Sequence, residues 1–291
     1  MRNDATGEFF RKFCEDGHYG GKTQPTDTRQ GLYVVTPSGQ FLSSKNTLNS
    51  NEARGVLNSG LRRWRSFKAN EPKSVPNSSA RTESQLPKDG LILREVMRDL
   101  PRPVVGKHAW RHNLDYFWLL KEDYLSLVPQ DKKEGATRVV EGNFKRKLLQ
   151  YHLVDSVRGE SSPWEESNIL DGQIETTITE INDEQIKLSL RGNAKIAQAP
   201  SGQRNPFSGK RVNKERGVDM KIAGEMTFNR KSETFDRLDL VAVGERWGTD
   251  VYSFRHTDPG PQPIGFAFEI LPAESRNRPK PAHTGWGYFS E

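Results

Sequence analysis

Residues 217–248, GVDMKIAGEMTFNRKSETFDRLDLVAVGERWG, decide the fold class of this chain. Val218, Met220, Ile222, Met226 and Phe228 recur at every second position, the spacing that brings side chains to one face of a β-strand. Gly224 is the only gap in that face. The polar run from Asn229 to Thr234 reverses the chain, and Phe235 to Val243 returns with Leu238, Leu240 and Ala242 on one side. The stretch spells a long β-hairpin with one apolar face, and such a face has to be covered.

The same alternation extends on either side. Ile174, Thr176 and Ile178 alternate before a turn at Asn182-Asp183, and Ile186, Leu188 and Leu190 alternate after it. Val251 to Phe254 follows the hairpin, and Ile264, Phe266, Phe268 and Ile270 give a last strand. Upstream, Leu91 to Val96 reads as a strand. Strands joined by turns pair antiparallel, because a parallel pair needs a crossover of about a dozen residues or more. Leu120, Tyr124 and Leu127 recur at helical spacing up to Pro129, which ends that helix. Phe144, Leu148 and Tyr151 mark another helix over about 139–153, with Lys145, Arg146 and Lys147 turned outward. The expectation is an α+β domain over 89–271 in which short helices cover an antiparallel sheet of five or six strands. A Pro-rich tail, 272–291, follows it.

The N-terminal part reads separately. Residues 31–35, GLYVV, form an apolar strand, Pro37-Ser38-Gly39 a turn, and Gln40 to Ser44 a returning strand. Asn49 caps the helix that follows, with Glu52 three residues on as in a capping box, and Leu57, Leu61 and Trp64 give its apolar stripe. Residues 68–88, rich in Pro, Ser and charge, form a linker. The order strand, P-x-G turn, strand, helix, carried by GLYVVTPSGQFLSS, resembles the end of a thioredoxin-like domain over about residues 28–67. The family's Cys-x-x-Cys is absent, and Gln30-Gly31 stand where it has a cis-proline. The resemblance implies a truncated thioredoxin-like unit over 1–67 with no redox residue to carry over.

Composition removes several functions. Cys14 is the only cysteine, so an intrachain disulfide or a cysteine-rich zinc site is impossible. No run approaches the ~18 apolar residues of a membrane span. The first residues lack the apolar core of a secretory signal. As written the chain reads as cytoplasmic, and a missing N-terminus would leave room for an export signal. The net charge of +6 is a small excess on 291 residues, spread along the chain. It reads as the solvated surface of a basic protein.

Few residues suggest chemistry. Cys14 and His18 could form a thiolate and its base, but Glu15 and Asp16 beside the thiol oppose its ionisation. His108 and His112 stand i, i+4, a spacing that on a helix lets two imidazoles share a metal; the third ligand would have to come from Asp115 or His152. Trp110, Tyr116, Phe117, Trp118 and Tyr124, interleaved with Arg111 and Lys121, have the look of a base-stacking surface, although aromatics near a sheet usually belong to the core. Lys210, Arg211, Lys214 and Arg216 in the basic loop 198–216 are the candidates for phosphate contact. Gly20-Gly21-Lys22-Thr23 lacks the first glycine and the preceding strand of a P-loop. Glu245, Arg246 and Asp250 around Trp247 either line a pocket or form surface salt bridges.

No motif calls for a cofactor and no catalytic residue stands out. The expected function is a non-enzymatic binding or interaction module for a small apolar ligand, held between helices and sheet, or for a protein partner. The alternatives are a thioredoxin-like oxidoreductase whose cysteine segment lies upstream of Met1, and a nucleic-acid-associated protein using the basic loop.

Overall fold

The computed structural model describes residues 10, 13–17, 31–67, 89–100, 112–200, 215–272, 283 and 287–288. The chain forms two compact units, 1–83 and 84–291. Among the described residues no helix is long and apolar enough to cross a membrane. The expected linker, most of the basic loop and most of the tail lie outside them.

In the N-terminal unit, β1 (Leu32–Val35) and β2 (Phe41–Lys45) pair antiparallel, and α1 (Ser50–Phe67) packs on the hairpin. Asn49 caps α1: its Oδ1 accepts from the backbone N–H of Asn51 and Glu52 at 2.9 and 3.3 Å. The Glu52 carboxylate turns instead to Lys45 and Thr47, so the expected capping box is only half made. The apolar stripe also differs from expectation. Leu57 and Leu61 are exposed, and the buried positions are Val56 and Gly60. Close approach selects that face: a β-carbon on Gly60 would stand 2.4 Å from Cγ1 of Val34, and the Val56 carbonyl accepts from Ser43 Oγ at 2.7 Å.

The C-terminal unit mixes strand and helix around one large antiparallel sheet. Its strands are β3 (Leu91–Asp99), β4 (His112–Leu119), β5 (Thr137–Val139), β6 (Ile169–Ile181), β7 (Gln185–Gln198), β8 (Arg216–Asn229), β9 (Thr234–Gly248) and β10 (Gln262–Ile270). The order is β4-β3-β10-β9-β8-β7-β6-β5, eight strands rather than five or six. The extra members are β5, only three residues long, and β4, an aromatic-dense segment not read as a strand from the sequence. Val251 to Phe254 is a turn and not a strand. The hairpin forms as read: β8 and β9 pair from Arg216↔Gly248 to Asn229↔Thr234, and the gap at Gly224 is filled by Leu240 across from it.

The inner face carries Ile174, Ile178, Leu188, Leu190, Val218, Met220, Ile222, Leu238, Leu240, Phe266 and Phe268, all buried. Its cover is α2 (Lys121–Leu125) with α3 (Asn143–Lys147), which runs into one wider π-helical turn at Leu148–His152. The Leu153 N–H donates to the Leu148 carbonyl at 2.9 Å, the longer reach that defines this turn. This turn touches both β4, at one edge of the order, and β6, next to the other, so the sheet is strongly curved around it. Phe144, Leu148, Leu149 and Leu153 are buried in the same cluster as the sheet residues. Lys147, expected outward, is buried.

The α1 face gives a direct check. Gly55 faces open space, whereas Gly60 lies against Val34. Gly55→Ala should slow hydrogen exchange of the α1 amides about 2- to 5-fold, from ~0.5–1 kcal/mol of helix stabilisation. Gly60→Ala should accelerate it, because overpacking against a stiff β-branched side chain costs ~1–3 kcal/mol.

Candidate functional site

Alternation along β3 sends Leu93, Glu95, Met97 and Asp99 to the inner face, and along β4 it sends Asp115, Phe117 and Leu119 there. Glu95 and Asp115 stand directly opposite one another in the ladder. Two like charges at such a pair repel. Above them sits His152, the last residue of the π-turn, stacked on Phe117 with ring centroids 4.2 Å apart. Its Nδ1 lies 2.6 Å from Oε2 of Glu95, and its Nε2 lies 2.7 Å from the Tyr288 hydroxyl. The Trp118 N–H donates to that hydroxyl at 3.0 Å, so the exposed backbone edge of β4 is capped by Tyr288.

The electrostatics follow from burial. Desolvation, with Asp115 opposite, raises the Glu95 carboxyl well above its ordinary value. Desolvation, with the positive surroundings of His283 and Lys147, lowers His152 well below its ordinary value. Burial likewise raises the Tyr288 phenol. The shifts of Glu95 and His152 both favour the neutral pair, in which Glu95 donates its proton to Nδ1 and Nε2–H donates to Tyr288. Oε1 of Glu95 has no hydrogen-bond partner among the described residues. Glu95, Asp115 and His152 each offer one ligand atom within 4.8 Å of the others, a set that could hold a metal ion.

A second buried pair accompanies the cluster. Lys147 Nζ lies 2.6 Å from Asp123 Oδ2 and 5.2 Å from the centre of the Tyr288 ring. Desolvation lowers the Lys147 ammonium, and Asp123 only partly opposes this.

At the end of the sheet, Arg158, Arg246 and Arg255 meet Asp99, Asp155 and Asp258. Arg255 reaches both Asp99 and Asp155 at 2.7 Å; Arg158 reaches Asp99 at 2.8 Å and Asp258 at 2.6 Å; Arg246 reaches Asp258 at 2.8 Å. Burial alone would raise the Asp99 carboxyl, but Arg255 and Arg158 override it and hold it below its ordinary value. Arg216 stacks over Trp164 at 4.1 Å, with Asp250 3.5 Å away. A cavity of about 10 Å³ beside them has room for no more than a water.

The third arrangement lies on the outer face. Lys195, Glu215, Asp219, Glu245 and Trp247, with Pro259 and Pro261 as a wall, line an open groove of about 690 Å³. Trp247 lies over Gly217, where a β-carbon would stand 2.2 Å from the indole. Asp219 and Glu245 are exposed and directly opposite one another in the ladder, with Lys195 4.0 Å from Asp219.

These placements redraw the sequence candidates. His112 opens strand β4, exposed, and cannot share a helical face with His108. Asp115 and His152 do come together, with Glu95 in place of the histidine pair. Phe117, Trp118 and Tyr124 are core residues. Arg216 is buried against Trp164, and Arg246 and Asp250 are buried in ion pairs rather than forming surface bridges. Cys14 is buried. His18, Gly20 to Thr23, His108, Trp110, Arg111, Lys210, Arg211 and Lys214 lie outside the described residues. Sequence reasoning missed Glu95, Lys147, Tyr288 and the network around Asp99. Lys147 had left a trace, since it is three residues after Phe144 and four before Tyr151, on the same helical stripe. No family model, characterised protein or solved structure matches the chain.

Glu95 supplies a pH test. Its folded value is raised above the ordinary 4.5, so its contribution to stability is full below about pH 4.5 and is lost as pH rises toward the folded value. Glu95→Gln cannot ionise. Urea unfolding should show this variant gaining on the wild type between pH 5 and pH 8.

Proposed function

We propose that the C-terminal unit is a non-enzymatic interaction module that holds a cationic segment of a partner protein in the outer groove beside Trp247. The observation that carries this reading is an excess of carboxylates over cations among the described residues of the groove. Glu215, Asp219 and Glu245 line the groove together with the indole, and among the described residues Lys195 is the only cation lining it. Among the described residues Glu215 and Glu245 make no ion pair. A like-charged cross-strand pair costs stability, and a bound guanidinium or ammonium group relieves it. The half-buried indole adds a cation–π surface worth about 0.5–1 kcal/mol at an exposed site.

Net charge sharpens the test. A protein of +6 attracts anions by its overall field, so affinity for a cation has to arise locally. For the N-terminal unit the reading stays a truncated thioredoxin-like end, supported by its order of hairpin and helix alone.

Calorimetry with hexa-arginine should show binding that weakens as salt rises, while hexa-glutamate does not compete. The double variant Asp219→Asn, Glu245→Gln should lose about tenfold in affinity, ~1.4 kcal/mol. Equal binding by wild type and double variant, or no binding by either, contradicts the proposal.

A further inference from the structure

The inner-face cluster supports a binding site separate from the groove. We propose that Glu95, Asp115 and Nδ1 of His152 form a buried site for one divalent transition-metal ion of the zinc class, with Tyr288 positioning the imidazole.

Four observations carry it. The donor set is one imidazole nitrogen and two carboxylate oxygens within 4.8 Å of one another. Imidazole with carboxylate suits Zn²⁺ and its neighbours. Three donors fall well short of the six to eight oxygens that calcium takes, and they match three protein ligands around a tetrahedral ion whose fourth position is open.

The imidazole is already aimed. Tyr288 holds Nε2 at 2.7 Å and is itself held by the Trp118 N–H at 3.0 Å. With its proton on Nε2, the ring turns the Nδ1 lone pair toward the carboxylates. A metal-binding histidine typically has its other nitrogen fixed in this way by a second group.

Oε1 of Glu95 is buried with no hydrogen-bond partner among the described residues, although Glu95 is fully enclosed. A polar atom left so costs stability unless something else satisfies it. Finally, Glu95 and Asp115 face each other across the ladder in a place without solvent. A shared proton or a shared cation relieves the repulsion of that pairing. Binding exchanges one for the other: the ion takes the position of the proton between Glu95 and Nδ1, and that proton is released to solvent.

The cluster is enclosed by β3, β4, the π-turn and Tyr288, so the ion is loaded as the chain folds. The full-length protein is refolded from urea with a small excess of Zn²⁺, passed over a chelating resin and assayed for zinc per chain. The wild type should retain about one equivalent and unfold at higher temperature than without zinc, and Co²⁺ in its place should give visible d–d absorption. Asp115→Asn, which keeps the shape and removes one donor, should retain less than about a tenth of an equivalent and show no zinc-dependent shift. Tyr288→Phe, which keeps all three donors, should bind zinc about 10- to 100-fold more weakly. Wild type that retains no zinc overturns the proposal, as does equal retention by wild type and Asp115→Asn. Zinc affinity unchanged in Tyr288→Phe removes the positioning role and, with it, the site as drawn.

Discussion

The inner face of the eight-stranded sheet is apolar over most of its area, with Glu95, Asp99 and Asp115 set into it, and the structure depends on how it is covered. The cover is short: α3 and a single π-turn, Asn143 to His152, supported by α2. A segment this short cannot present an apolar stripe alone, and it brings Lys147 and His152 into the interior with Phe144, Leu148 and Leu149. Unpaired charge there would cost several kcal/mol. Asp123 meets the lysine, and Glu95 and Tyr288 meet the histidine on its two nitrogens. Sheet and cover therefore specify each other: the polar pairs add little net stability, but they fix which turn of the helix faces which strand.

The network around Asp99 does comparable work at the end of the sheet. Arg158 comes from the segment after the π-turn, and Arg255 and Asp258 from the segment between β9 and β10. Their shared carboxylates tie both segments to the ends of β3 and β9. Pro259 and Pro261, which wall the outer groove, belong to the second of these segments. The groove's shape thus rests on ions buried behind it, while its charge is set by Glu215 and by residues that alternate outward on β7, β8 and β9.

The long hairpin was legible because one face of β8 and β9 is buried and the other solvated, which leaves a clean period of two from Val218 to Phe228. β4 was not, because Leu114, Tyr116 and Trp118 on one side are as apolar as Phe117 and Leu119 on the other. In the segment 139–153 the helical spacing was sound, but α3 gives way to a π-turn, and lysine's charge argued Lys147 outward where its position on the stripe argued inward. In α1 the leucines suggested the wrong face, since hydrophobicity does not register that Gly60 is where a strand can approach closest. Of the candidate site, Asp115 and His152 could be named from the sequence as donors. Glu95 could not, because its partners lie 20 and 57 residues away and only the ladder and the π-turn bring them together.

The central claim is that the buried Glu95–His152 pair is neutral, with the His152 proton on Nε2 and Nδ1 accepting from Glu95. Nitrogen NMR of the metal-free protein, labelled at histidine and assigned through a His152 variant, reads this directly. The account predicts a single Nε2–H tautomer for His152 that persists between pH 5 and pH 8. A doubly protonated imidazolium at neutral pH, or a proton on Nδ1, would contradict it.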